Sequence, residues 1–185
     1  MKMVSEVKLI RSRLNEKAKQ QKAQNLIVKL LVASSCLLFL TLLAIWLIQT
    51  MPKVLIPKIY YLGSFIIMLS SAGLVATRKA IARDDLQKAV YLLVISIGLG
   101  VGFGFIQLTG WHYLFDSNQQ ESNILLPFST IHFLHLVIGI IFLFVVFKRL
   151  NDFQVHSKAM LFSSNVFYFW HFLGFIWLAF MGVMT

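Results

Sequence analysis

Residues 124–147 read ILLPFSTIHFLHLVIGIIFLFVVF, twenty-four positions without a charge. A helix of that length spans about 36 Å, and about 20 mostly apolar residues suffice to cross the hydrocarbon core of a bilayer. Outward from this stretch, four further segments have the same character: 26–50, 59–77, 89–111 and 159–182. Lys29 is the only Lys, Arg, Asp or Glu inside the five, placed in the first turn where its long side chain can reach the interface. The chain has 185 residues, 58% hydrophobic and 13% charged, against about half and a quarter in a soluble domain. That excludes a disordered chain, which needs low hydrophobicity. The formal net charge is +10, but the cations are segregated from the apolar bulk, so nucleic-acid binding is not expected. A single cysteine, Cys36, excludes a disulfide framework and a Cys-based zinc or iron–sulfur site carried by this chain alone.

The expected fold is therefore all-α: an integral membrane bundle of five transmembrane helices over 26–185, preceded by a basic segment, 1–25. The connections 51–58, 78–88, 112–123 and 148–158 are short, which predicts that consecutive helices are antiparallel neighbours. Lys and Arg set the orientation. Fifteen of the 17 lie on one side, in the N-terminal segment through Lys29 and in connections 78–88 and 148–158, against Lys53 and Lys58 on the other. The N-terminus is expected inside and Thr185 outside, with Trp46, Tyr60, Tyr61, Trp111, Tyr113 and Trp177 as an outer aromatic belt. In the first 25 residues Met3, Val7, Ile10 and Leu14 share one helical face, and Lys8, Arg11, Lys17, Lys19 and Lys22 line much of the rest. A basic helix lying on anionic lipid and a docking helix for a partner subunit both fit that pattern.

Within the membrane segments, Gly98, Gly100, Gly102 and Gly104 do not fit a GxGxxG phosphate loop, since the third glycine falls on Phe103 or Phe105 in either register and no strand precedes them. They form two overlapping small-xxx-small pairs, which let helices approach closely. Ser96, Gly100, Gly104, Gln107 and Gly110 share a face expected to pack against protein. Ser129, His132, His135 and Gly139 make a similar stripe in the fourth segment, and Ser164, Tyr168, His171 and Gly174 in the fifth. Counting along the helices puts the three histidines at comparable depths. Ionisable residues in a bilayer are costly and often mark function. These could be haem or metal ligands, proton-relay groups, or neutral histidines hydrogen-bonded between helices. All seven acids lie outside the five segments, which argues against a proton pump or ion-coupled carrier acting alone. No Ser/His/Asp or Cys/His arrangement offers a nucleophile, so no catalytic residue is expected.

Phe169-Trp170-His171-Phe172, with Trp177 following, resembles the YWHFxDxxW signature of the last helix in subunit III of the haem-copper oxidases. Ser129 to Gly139 resembles that family's TGxHxxHxxxG pattern, with His132, His135 and Gly139 matching and Ser129-Thr130 in place of Thr-Gly. Gln107 and Trp111 fit a QxxEW ending, and Ser70-Ser71 a stretch of the helix before. The likeness runs over about 26–182 and fits the family's five-helix form. It implies a subunit of a terminal respiratory oxidase in a bacterial inner membrane, bracing the catalytic subunit I and supporting its stability and proton uptake. Haem and copper then belong to partner subunits, this chain carries no cofactor or metal, and it holds membrane lipid. The histidines, with Gln107 and Ser129, become structural. Ser35, Gly110 and Gly174 stand where the family often has carboxylates. Rival readings are subunit III of a quinol oxidase, a subunit-III-like protein associated with nitric oxide reductase, and a small b-type cytochrome using His132 or His135 with His171.

Overall fold

The computed structural model describes residues 2–48, 56–116, 125–152 and 161–184; the ends of the expected segments at 49–50, 124 and 159–160, most of connections 51–58, 112–123 and 148–158, and Thr185 lie outside the described residues. The described chain forms five helices: α1 (Lys2–Ile48), α2 (Lys58–Ala82), α3 (Leu86–Asp116), α4 (Leu125–Asn151) and α5 (Leu161–Met184). All five are long and apolar enough to cross a membrane, α1 through the part Lys22–Ile45. In lipid a helix satisfies its own backbone polar groups, which is why uninterrupted apolar runs fold this way. The protein is a multi-pass all-α membrane bundle. Of residues 2–10, 14, 17, 18, 21, 46 and 47 only the helical backbone is described, so the expected face of Met3, Val7, Ile10 and Leu14 and the belt position of Trp46 lie outside the described side chains.

The helices outrun the apolar segments at the basic end. Helix α2 continues through Arg78 and Lys79 to Ala82, and only three residues separate it from α3. The Asp85 N–H donates to Ala80 O and the Asp84 N–H to Ile81 O, both at 3.0 Å, the pair of bonds that closes a Schellman motif. Asp84 sits at φ 55°, the left-handed conformation usually left to glycine. Asp85 then accepts from the Lys88 N–H through Oδ1 at 3.2 Å, capping α3. Asp85→Ala is expected to cost about 1 kcal/mol, read as a lower thermal unfolding temperature in detergent. Pro127 falls in the first turn of α4, where N–H groups have no helical partner in any case.

Packing follows the small residues. Helices α2 and α3 make the most extensive contact. A Cβ on Gly63 would stand 3.1–3.3 Å from Ile106 and Phe103, and Gly73 and Gly110 lie directly under Ser96 and the Tyr60 ring. The Ser70 hydroxyl crosses to the Ser96 carbonyl at 2.8 Å. Helix α3 packs next on α4, and α5 packs on α1, α2 and α4. The expected α1–α2 pairing is replaced: α1 lies chiefly against α5, with Phe39 reaching Phe128 and His135 of α4. Its base is held there by Arg149 Nη2 donating to Gln24 Oε1 at 2.7 Å and Asn165 Nδ2 to Asn25 Oδ1 at 3.2 Å. Side-chain fit to the last helix outweighs neighbourhood in sequence.

Candidate functional site

At the end of the bundle where α2 and α4 begin and α3 and α5 finish, aromatic rings interlock around one histidine. Trp177 is fully buried and meets Tyr60, Phe103 and His132 at ring-centroid distances of 5.3, 5.1 and 5.2 Å. Its indole N–H donates to Ser64 Oγ at 3.0 Å, tying α5 to α2. Phe128 lies parallel to His132 at 6.1 Å and stacks on Phe180, and Phe103 meets the imidazole edge-on at 6.0 Å. His132 is completely buried, and neither ring nitrogen has a hydrogen-bond partner among the described residues. Gln107, one turn along α3 from Phe103, is buried with both amide atoms unpartnered there too. Ser129 is buried and accepts the Trp111 indole N–H at 2.7 Å, joining α3 to α4. Tyr60 and Trp177, expected in an interfacial belt, belong to this core. Tyr61 and Tyr113 are exposed. An indole or phenol is drawn inward where another helix offers aromatic edges and, for Trp177, an acceptor.

The glycines divide sharply. Gly100 and Gly139 flank the Trp170 indole: a Cβ on Gly100 would stand 2.5 Å from its far edge, and one on Gly139 3.1 Å from the near side. Gly104 faces Leu136 and Phe133 at ordinary contact distance. Gly98 and Gly102 have nothing within 4 Å. Ser96, Gly100, Gly104, Gln107 and Gly110 are all buried.

The structure separates the histidines. Antiparallel α4 and α5 pair Gly139 with Trp170, His132 with Trp177 and Phe128 with Phe180. His132 is thus level with a residue six positions beyond His171, about 9 Å along the axis. His135 turns its Nδ1 to the Ile131 carbonyl of its own helix at 2.8 Å. His171 meets the Ser71 hydroxyl of α2 through Nδ1. Beside that pair the Tyr168 hydroxyl accepts from Arg78 Nη1 at 3.1 Å, with the guanidinium 5.3 Å from the ring centre. Sequence reading singled out His171 and Tyr168, and Ser71 through the resemblance, but did not pair them across helices, because nothing in α2 alone shows which neighbour it meets. A double-mutant cycle on Ser71→Ala and His171→Ala is expected to give a coupling of about 0.5–1.5 kcal/mol in detergent unfolding. Additive losses would mean the two side chains do not interact.

Among the described residues no three His, Cys, Asp or Glu side chains are grouped to hold a metal ion. Ser35 is buried, and its hydroxyl donates to Leu31 O at 2.6 Å in its own helix. Between α1 and α5 lies an apolar cleft of about 160 Å³, bordered by Cys36, Phe39, Leu43, Phe172 and Ile176.

Residues 33–184, nearly the whole bundle, match the family described as Cytochrome c oxidase subunit III. Over 123 residues the chain is 27% identical to a protein of Rickettsia prowazekii (strain Madrid E) named "Probable cytochrome c oxidase subunit 3", covering 64% of this chain and 44% of that one. It is 23% identical over 122 residues to "Cytochrome c oxidase subunit 3" of Cyanidium caldarium, with the same coverage. The aligned region is thus less than half the length of either relative. Five apolar helices, the His132 and His171 segments on the packed helices α4 and α5, and the match over 33–184 lead to one conclusion: the chain belongs to the cytochrome c oxidase subunit III family.

Proposed function

We propose that this chain is the non-catalytic subunit III of a terminal haem-copper oxidase, held against the catalytic subunit I in the inner membrane of a bacterium. In this reading the N-terminus is inside and the last helix ends outside, following the distribution of Lys and Arg. Haem and copper sit in the partner subunits, which reduce oxygen with electrons from cytochrome c or a quinol. This chain braces the catalytic subunit, supports proton uptake into it, and takes lipid acyl chains against clefts such as the one beside Cys36.

The observation that carries the reading is the family match over residues 33–184, and an outward polar patch on α2 and α5 fits a protein neighbour. Tyr168 is 55% exposed and Arg78 is exposed, and His171 with Ser71 is only half-buried. Polar and ionisable groups turned outward from a membrane bundle are costly against hydrocarbon and are relieved by a protein neighbour. Residues 26–182 carry no carboxylate inside the apolar segments, so support for proton uptake is indirect, through the shape and lipid surroundings of the partner.

The test is to extract the tagged chain in mild detergent. It is expected to carry with it a haem-copper catalytic subunit that shows the haem spectrum. Recovery with a nitric oxide reductase, or of the chain alone with its own haem, would replace this reading. A reporter fused after Thr185 is expected to work only outside the cytoplasm.

A further inference from the structure

Helix α1 is longer than any bilayer requires. It runs unbroken from Lys2 to Ile48, and its apolar span begins only at Lys22. The preceding turns extend about 30 Å. No glycine or proline occurs anywhere in α1, and sharp helix kinks nearly always need one of these or a bulge. The base is fixed by the Gln24–Arg149 and Asn25–Asn165 contacts to α4 and α5. Every described side chain from Arg11 to Ala23 is exposed, and the first fully buried one among the described residues is Val28. The segment therefore projects from the bundle instead of folding back onto it.

Its charge is one-sided. Residues 2–22 hold seven lysines and arginines against Glu6 and Glu16. The rest of the chain at this end adds only Asp84, Asp85 and Asp152 as acids, among further cations. The counter-charge must come from elsewhere. Anionic lipid attracts cations within about one Debye length, roughly 8 Å at physiological salt. A straight continuation of α1 puts Arg11 about 16 Å beyond Lys22, out of that range even with an ordinary tilt.

We propose that the segment before Lys22 is a rigid docking arm that binds an acidic surface on another protein subunit of the same complex. The proposal rests on the reading of this chain as one subunit of an oxidase. The arm works beyond the headgroup region, where Arg11 and Arg13 meet carboxylates in water and steer a partner's approach by charge.

The test uses the whole complex. A photoreactive benzoylphenylalanine replaces Asn15, which is exposed and uncharged, and the complex is illuminated after purification in mild detergent. The expected product is an adduct to an Asp- and Glu-rich segment of a second protein chain. Its yield is expected to fall by about tenfold in Arg11→Glu/Arg13→Glu, and to fall also as salt rises. The conservative Arg11→Lys/Arg13→Lys pair keeps it. These are surface changes on an exposed helix, so the membrane bundle should still co-purify with the catalytic subunit. Adducts to phospholipid or nucleic acid alone, no adduct from a chain that still co-purifies, or a protein adduct indifferent to charge reversal would each overturn the arm. Failure of the unmodified chain to co-purify with a catalytic subunit is seen before illumination. That result refutes the parent reading and this inference together.

Discussion

Replacing Trp177 by alanine is expected to lower the stability of the bundle by about 3–5 kcal/mol, the cost of emptying a large buried aromatic site. In a chain of this size that lowers the unfolding temperature in detergent by about 6–20 °C. The effect is large because one side chain serves three helices. It meets Tyr60 of α2, Phe103 of α3 and His132 of α4 at about 5 Å, and gives its N–H to Ser64. Trp177→Phe retains much of the ring contact but strips Ser64 of its donor, so about 1–2 kcal/mol is expected from it. Equal losses from the two variants would show that the indole hydrogen bond dominates. A Trp177→Ala protein that unfolds like the original would mean the ring lies outside the core.

The glycines give the second test, because neighbouring positions are expected to respond in opposite directions. Gly100→Ala drives a methyl to 2.5 Å from the edge of Trp170, which is 1% exposed and has no room to retreat. Overfilling of this kind costs about 2–3 kcal/mol. Gly98→Ala and Gly102→Ala add a methyl where nothing lies within 4 Å, and should gain about 0.5–1 kcal/mol from helix propensity. Trp170→Phe shortens the ring at the crowded edge. Its N–H has no partner among the described residues, so no hydrogen bond is lost with it. The double variant Gly100→Ala/Trp170→Phe should recover most of the Gly100→Ala loss. If Gly98→Ala and Gly100→Ala destabilise equally, the indole is not what selects glycine at position 100.

The helices and their number were legible because hydrocarbon sets the required length and forbids charge. The boundaries at the basic end were less so. Arg78 and Lys79 ended the apolar run by composition, yet the backbone stays helical until Asp84 turns it. The five-residue face from Ser96 to Gly110 was visible as a row of small and polar residues. Which of four consecutive alternate glycines met a ring was not, since that depends on Trp170 seventy residues later. Trp177 shows the same limit. At the end of a membrane helix an aromatic residue reads as a belt member, and only the neighbouring Tyr60, Phe103 and Ser64 make it a core residue. His132 and His171 share a motif-like setting, but the antiparallel register of α4 and α5 places them about 9 Å apart along the axis, and no count along single helices reveals it.

The pairing of the first helix with the last has a consequence for how the molecule is made. Helices α2 and α3 are joined by a three-residue turn and can close on each other as soon as both are in the bilayer. The contacts that seat α1, from Gln24 to Arg149 and Asn25 to Asn165, span 125 and 140 residues of chain. Such distant contacts form late. During synthesis α1 enters the membrane before α2 to α5 and waits beside an incomplete bundle, its inner face against lipid, until α5 arrives. The α1–α5 contact is thereby the last of the five-helix bundle to become fixed, and a ribosome that stops before Leu161 leaves α1 without its principal neighbour.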